Sequence, residues 1–318
     1  MVEEILGFAA SGAGPHALLS IRKRGANTEW VARELARVAG CKPFEVGFAG
    51  LKDRNAVTTQ AFTVPLGKRT PDSFAGMKGE GWEVLSANAH QRKLPRGALE
   101  GNRFEITVRH LSGDIARLRE RLERIAAGGV PNYFGPQRFG RDAGNLEQVL
   151  RAAAETRGRS RGRGDQGFML SAARSLIFNA ILAARVETGT WNRLQPGDMA
   201  NLDGRGSVFA VEAVDVDLER RCAALEVHPT APLIGTGESL ARSAVLELET
   251  SVARLFPEAE TVVRAERMNA ERRALRLRVR DLEHQLDGDV LHLRYALSAG
   301  SFATAVLREI IGLQDALE

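Results

Sequence analysis

The chain has 318 residues, enough for about two domains at roughly 150 residues each. Hydrophobic residues make up 44% and charged residues 26%, a globular mix that excludes a disordered or fibrous chain. Cys41 and Cys222 are too few for a disulfide scaffold and lack metal-ligand spacing. No apolar run is expected to reach the roughly 18 to 20 residues of a membrane span, and the Met-Val-Glu-Glu start does not read as a signal peptide. The expected setting is therefore the cytoplasm. The formal net charge is +4, and with six lysines 38 of the 44 cationic side chains are arginine. Residues 151–163 hold Arg151, Arg157, Arg159, Arg161 and Arg163 against Glu155, beside Gly158, Gly162 and Gly164. Such a stretch reads either as a loop that touches a polyanion or as a solvated linker.

Along the chain, Val31, Leu35 and Val38 fall at helical spacing, with Thr28 as the capping candidate and Gly40 as the stop. Alternation at Phe104, Ile106 and Val108 predicts a strand. Ile115, Leu118, Leu122 and Ile125 predict a helix ended by Gly128-Gly129. Helical patterns follow over 171–189 and 238–256, with one strand near 207–216 between them. Leu275, Leu277 and Val279, then Leu291, Leu293, Tyr295 and Leu297, alternate as strands. Phe302, Val306 and Ile310 close the chain with a helix that Ser298 or Ser301 is placed to cap. Sheet character at both ends around a helical middle predicts an α+β fold with an insertion.

Three segments carry candidate chemistry. Residues 45–64 read as strand, turn, strand, with Asp53 in the turn between Lys52 and Arg54. A cation near that carboxylate favours its ionised form, which a nucleophile or base requires, while ordinary turn chemistry accounts for the same residues. Residues 130–142 pack Asn132, Tyr133, Phe134, Arg138, Phe139 and Arg141 among glycines and prolines. Amides, rings and guanidinium groups are what hold an unstacked base and its phosphates, and they equally anchor a rigid loop over a core. Residues 298–309 run from a small-residue turn into a helix with Phe302 near its start, for which core packing is the default. His90, Gln91, Arg92, Lys93 and Arg96 form a polar connection that fits an RNA contact or a solvated hairpin. The phosphate loop, the nucleophile elbow and the zinc helix signatures are absent, and the histidines have no ligand spacing.

Four segments in this order resemble the TruD family of tRNA pseudouridine synthases: Gly-Leu-Lys-Asp-Arg-Asn-Ala-Val-Thr-Thr-Gln at 50–60, Val-Pro-Asn-Tyr-Phe-Gly-Pro-Gln-Arg-Phe-Gly at 130–140, Leu-Ser-Ala-Ala-Arg-Ser at 170–175, and Ala-Gly-Ser-Phe-Ala-Thr at 299–304. The resemblance covers nearly the whole chain. It implies a pseudouridine-synthase catalytic domain with a mixed or antiparallel sheet, over 1–157 and 277–318, interrupted by a largely helical TruD-type insertion domain over 158–276. RNA is expected in a basic cleft between them. By match, Asp53 is the catalytic aspartate, Asn132, Phe134 and Phe302 surround the target uracil, and Lys52 and Arg138 join them as substrate-binding candidates. The implied activity is isomerisation of a uridine in tRNA, at position thirteen, with no metal or cofactor and no obligatory protein partner. Family members usually carry a Pro-Glu-Asp-Phe-like stretch ahead of the part that matches Val2-Glu3-Glu4, and its aromatic helps close the pocket. The rival expectation is a catalytically inactive tRNA-binding or RNA-folding module on the same scaffold; a carboxylate glycosidase is disfavoured because no paired acid is evident.

Overall fold

The computed structural model describes residues 1–140, 143–155 and 163–311, with the backbone alone for 155 and 163–166. Arg141, Arg157, Arg159 and Arg161 of the expected cationic segments lie outside the described residues, and so does the side chain of Arg163. The chain divides into two compact units, Met1–Gly113 with Arg280–Gly300 and Asp114–Val279 with Ser301–Glu318. The divisions expected from the resemblance, at 157/158 and 276/277, differ from these compact units. Strands and helices are numbered β1–β15 and α1–α8 along the whole chain.

The first unit is a nine-stranded mixed sheet. Its strands are β1 (Val2–Ile5), β2 (His16–Lys23), β3 (Gly47–Phe48), β4 (Thr58–Pro65), β5 (Lys78–Gly79), β6 (Trp82–His90), β7 (Gly101–Val108), β14 (Arg280–Asp287) and β15 (Val290–Ser298). They run in the order β14-β15-β7-β1-β4-β2-β6-β5, with β3 paired to β4. The β1–β4 pair is parallel, with Val2 opposite Thr58, and the other pairs are antiparallel. The expected alternation in β15 is realised: Leu291, Leu293, Tyr295 and Leu297 are all buried. Helix α1 (Thr28–Ala39) shares a core with Leu19, Ile21, Phe62 and Val64 through Val31, Leu35 and Ala36. Gly40 ends it at φ 71°, a left-handed conformation that glycine adopts without penalty. Thr28 does not cap α1. The N-cap position is Asn27, because the Thr28 hydroxyl is engaged with Gln60 and Lys52.

The second unit gathers its helices around α4 (Arg163–Glu187). Before it come α2 (Ile115–Gly128), β8 (Val130–Pro131) and α3 (Gly144–Glu155). Helix α2 follows the expected pattern, with Leu118, Leu122 and Ile125 buried and Asp114 accepting from the Ala116 and Arg117 amides at its N-terminus. After it come β9 (Met199–Leu202), β10 (Val208–Ala210), α5 (Val216–Ala223), β11 (Val227–Leu233), α6 (Ser243–Ala253), α7 (Pro257–Ala265), β12 (Glu271–Ala274), β13 (Arg276–Leu277) and α8 (Ala303–Ile310). Antiparallel strands in the order β10-β9-β11-β12 make one sheet, and β13 pairs with β8.

Several expectations are corrected here. The strand near 207–216 is only β10, because Asp215 accepts from the Leu218 amide and starts α5. The helical pattern over 238–256 shortens to α6, and Pro257 at the first position of α7 starts a helix the periodicity did not separate. Helix α8 has Phe302 at its N-cap, where Ser298 or Ser301 was expected, with no side-chain cap. Gly167–Glu187 in α4 is long and apolar enough, by length and composition, to cross a membrane. No run of that size was expected from the sequence. Ile177, Phe178, Ile181 and Leu182 are buried in the core of the unit, and Arg185 is buried against Asp198 at 2.9 Å.

His228 in β11 gives the second unit a pH dependence. Its Nδ1 accepts from Arg276 Nε at 2.9 Å, and its Nε2 lies 3.1 Å from Asp203 Oδ1. Burial holds its pKa below the ordinary imidazole value, with Arg276 adding to the effect and Asp203 opposing it. The folded chain keeps this ring neutral while the unfolded chain protonates it near pH 6.5, so its contribution is full above that pH and declines on acidification toward the lowered folded value. Urea unfolding at pH 7 and pH 5 is expected to show stability falling by at most about 1.4 kcal/mol per pH unit from this group, with a shallower fall in His228→Gln.

Candidate active site

The sequence-predicted residues fall in both units: Lys52 and Asp53 in the first, and Asn132, Phe134, Arg138 and Phe302 in the second. Asp53 sits on an irregular loop between β3 and β4. Its side chain is exposed, and Oδ1 accepts from the Asn55 amide at 2.9 Å, the turn chemistry expected of an Asp at this place. Its flanking cations are engaged elsewhere. Lys52 turns inward, 9% exposed, and its Nζ lies 2.6 Å from Glu4 Oε1. Arg54 Nε donates to the Gly25 carbonyl at 2.9 Å, and the Gly25 amide returns a bond to the Arg54 carbonyl at 2.8 Å.

The cation beneath the loop is Lys23, at the end of β2 and 1% exposed. Its ammonium donates to the carbonyls of Ala26 at 3.0 Å, Asp53 at 3.1 Å and Lys52 at 3.4 Å. Burial lowers its pKa, while the Asp53 carboxylate pulls it back up. A second chain of bonds braces the loop from α1 and β4. The Lys52 amide donates to Thr28 Oγ1 at 3.1 Å, Thr28 donates to Gln60 Oε1 at 3.0 Å, and Gln60 Nε2 donates to the Gly50 carbonyl at 2.6 Å. The backbone of residues 50–54 is therefore fixed from below while the Asp53 carboxylate stays open to solvent.

In the second unit, the segment after β8 is threaded through the protein by side-chain bonds. The Asn132 amide donates to the Leu275 carbonyl and its Nδ2 to the Ala274 carbonyl, both at 2.8 Å. Its Oδ1 accepts from Arg273 Nη2 at 2.7 Å. An amide side chain has two N–H groups and two lone pairs on oxygen, so these contacts leave one of each. Asn179 on α4 grips the next turn as another backbone strand would: its Oδ1 accepts from the Phe134 amide at 2.9 Å and its Nδ2 donates to the Phe134 carbonyl at 3.0 Å.

The Phe134 ring is buried against Phe178 at 5.5 Å, edge-on, and against Phe302 at 6.1 Å. Two guanidinium groups flank it, Arg273 at 4.2 Å and Arg138 at 5.0 Å, and Arg138 also lies 5.4 Å from the Phe302 ring. Arg138 donates to Ser171 Oγ at 2.9 Å. Burial and the neighbouring Arg138 push the pKa of Arg273 down to about 10. Asn132, Phe134, Arg138 and Phe302, scattered over more than half the sequence, are thus brought into one cluster.

Sequence reading missed Lys23, Thr28 and Gln60 below the Asp53 loop, and Asn179 and Arg273 in the cluster. A signal existed for Lys23: it follows Leu19 and Ile21 at alternate positions of β2, so a lysine stands where the pattern calls for a buried residue. The Arg272-Arg273 pair divides by the same rule, since neighbours on a strand point to opposite faces. Arg272 turns to Glu249, and Arg273 to Asn132 and Phe134.

Comparison with known proteins agrees with this architecture. A solved structure from Methanosarcina mazei, described as a tRNA pseudouridine synthase D, superposes with a TM-score of 0.73 over 98% of this chain and 91% of that one, at 22% identity, and shows the fold. The family model for tRNA pseudouridine synthase D (TruD) matches residues 1–153 and 166–310. Relatives named tRNA pseudouridine synthase D include one from Methylococcus capsulatus, 46% identical over 98% of this chain and 88% of its own, and one from Nitrosococcus oceani, 44% identical over 99% and 89%. The chain belongs to the TruD family.

Removing the clamp below the loop tests how far it fixes Asp53. Lys23→Met keeps most of the apolar stem of the side chain and leaves three carbonyls without their donor. It is expected to destabilise the chain by about 1 to 3 kcal/mol and to speed hydrogen exchange at the Lys52 amide more than in β2 or β4. Equal exchange at residues 50–54 in both proteins would show that Lys23 does not hold the loop.

Proposed function

We propose that this chain isomerises a uridine of tRNA to pseudouridine, at position thirteen, with Asp53 as the essential carboxylate. The observation that carries this reading is an exposed carboxylate on a backbone fixed by buried Lys23 and by the Thr28–Gln60 chain, within a member of this family. The reaction breaks the N1–C1′ bond, turns the uracil and joins C5 to C1′; the proton on C5 is lost and N1 gains one. Nothing is oxidised or reduced, so no cofactor is called for. A fixed carboxylate serves either as a nucleophile toward C1′ or as a base toward the ribose.

The second unit supplies groups for the base. The N–H and lone pair left on Asn132 match the N3–H and carbonyl edge of uracil. Phe302, more open than Phe134, offers a ring on which the everted base stacks, worth about 1 to 3 kcal/mol against the few kcal/mol that unstacking costs. Arg138 contributes positive charge beside that ring. Lys52 acts below the loop through Glu4 in this reading, beside the substrate yet not exposed to bulk water. The catalytic domain covers 1–157 and 277–318, the insertion covers 158–276, and the work is done in the cytoplasm.

Asp53→Asn preserves shape and removes the charge. Purified variant and parent, incubated with unmodified tRNA transcript, are compared by carbodiimide primer extension. The variant is expected to be slower by about 100-fold or more. Equal rates exclude Asp53 as the catalytic group. Tight, salt-sensitive tRNA binding with no pseudouridine from either protein favours an inactive RNA-binding module instead.

A further inference from the structure

Helix α2 has two faces. Leu118, Leu122 and Ile125 are buried, and one step around the helix Arg117, Arg121 and Arg124 form an exposed row. Arg121 and Arg124 line a cavity of about 630 Å³ with Trp191, Asn192, Arg308 from α8 and residues 128–131. All of these residues belong to the second unit. None of Arg121, Arg124 and Arg308 has a carboxylate partner among the described residues.

Four other helices of this chain do form local ion pairs, at three- or four-residue spacing. Arg37 pairs with Glu34, Arg151 with Glu147, Arg220 with Asp217 and Arg264 with Glu260. Glu120 stands at the same three- and four-residue spacings from Arg117 and Arg124, yet Arg124 Nε donates to the Glu120 carbonyl, not its carboxylate. Arg121 bonds the Ile310 carbonyl at 3.3 Å, and Arg308 lies 5.0 Å over the Tyr133 ring. Three guanidinium groups from two helices therefore converge on one cavity, where Glu309 is the acidic residue among the described lining residues. Gly128 adds access, since nothing lies within 4 Å of where its Cβ would stand.

We propose that this cavity is an RNA-binding site in which Arg121, Arg124 and Arg308 hold the phosphodiester backbone of the tRNA and the Trp191 ring takes a base. It is distinct from the Phe134 cluster and rests on the reading of the chain as a tRNA-modifying enzyme. Guanidinium forks match phosphate oxygens, and an indole beside them accepts any base face without sequence preference.

The test uses the full chain, a tRNA transcript and the triple variant Arg121→Gln, Arg124→Gln, Arg308→Gln, whose exposed positions leave folding intact. The variant is expected to bind tRNA about tenfold or more weakly near 0.1 M salt, with the slope of log affinity against log salt reduced by about 2, and to form pseudouridine at the parental kcat once tRNA is saturating. Trp191→Phe is expected to remove most of the fluorescence quenching that tRNA produces in the parent, because Trp191 lines the cavity, whereas Trp82 is buried and Trp30 lies in the first unit. Unchanged affinity and salt slope in the triple variant overturn the proposal. So does quenching of Trp191 by uridine monophosphate with unaltered tRNA affinity in that variant, which makes the cavity a mononucleotide site. If the parent binds tRNA and loses affinity on substitution yet makes no pseudouridine, the functional reading fails and the RNA site stands.

Discussion

A lysine ammonium enclosed under the 50–54 loop is the constraint on which the candidate chemistry depends. The loop has no ladder of its own, so its carbonyls need donors from elsewhere, and Lys23 meets two of them, with the Ala26 carbonyl beside them, from the end of β2. Removing a charge from water is costly, and the lowered pKa of Lys23 records that cost. The geometry offsets it with carbonyl contacts and with the field of Asp53. An exposed carboxylate on a mobile loop has no defined target, whereas one on a braced backbone does.

The second unit applies a related device with arginine. Arg185 bonds Asp198 and the carbonyls of Thr190 and Arg193, and Arg276 bonds His228 and the carbonyls of Asn192, Cys222 and Val227. A planar fork with five N–H groups can satisfy several carbonyls at turns and strand ends that no ladder reaches. The arginine bias of the composition, uninformative as a sum, thus includes groups with different tasks. Buried forks bind the unit together, and the row on α2, without carboxylate partners among the described residues, faces outward.

Periodic features were the legible part of the sequence. Helix α2, strand β15 and the mixed α+β class followed from spacing, and the ordered motifs pointed to the TruD family. What failed were boundaries and caps decided by tertiary contacts. Thr28 reads as a cap until Gln60 and Lys52 claim its hydroxyl, and the 238–256 pattern conceals the stop that Pro257 turns into a new helix. At the candidate site, motif matching selected the residues but not what holds them. Arg273 meets Asn132 across 141 positions of sequence, a pairing that no local window contains.

Lys23 also gives the chain an unusual chemical handle. With only six lysines, and with Lys23 and Lys52 enclosed at and beneath the loop, amine-directed reagents meet few targets on the folded molecule. Modification of Lys23 requires the loop to lift from β2, so the rate at which that one amine is acylated, compared with exposed Lys78, is a clock for opening of the segment that carries Asp53.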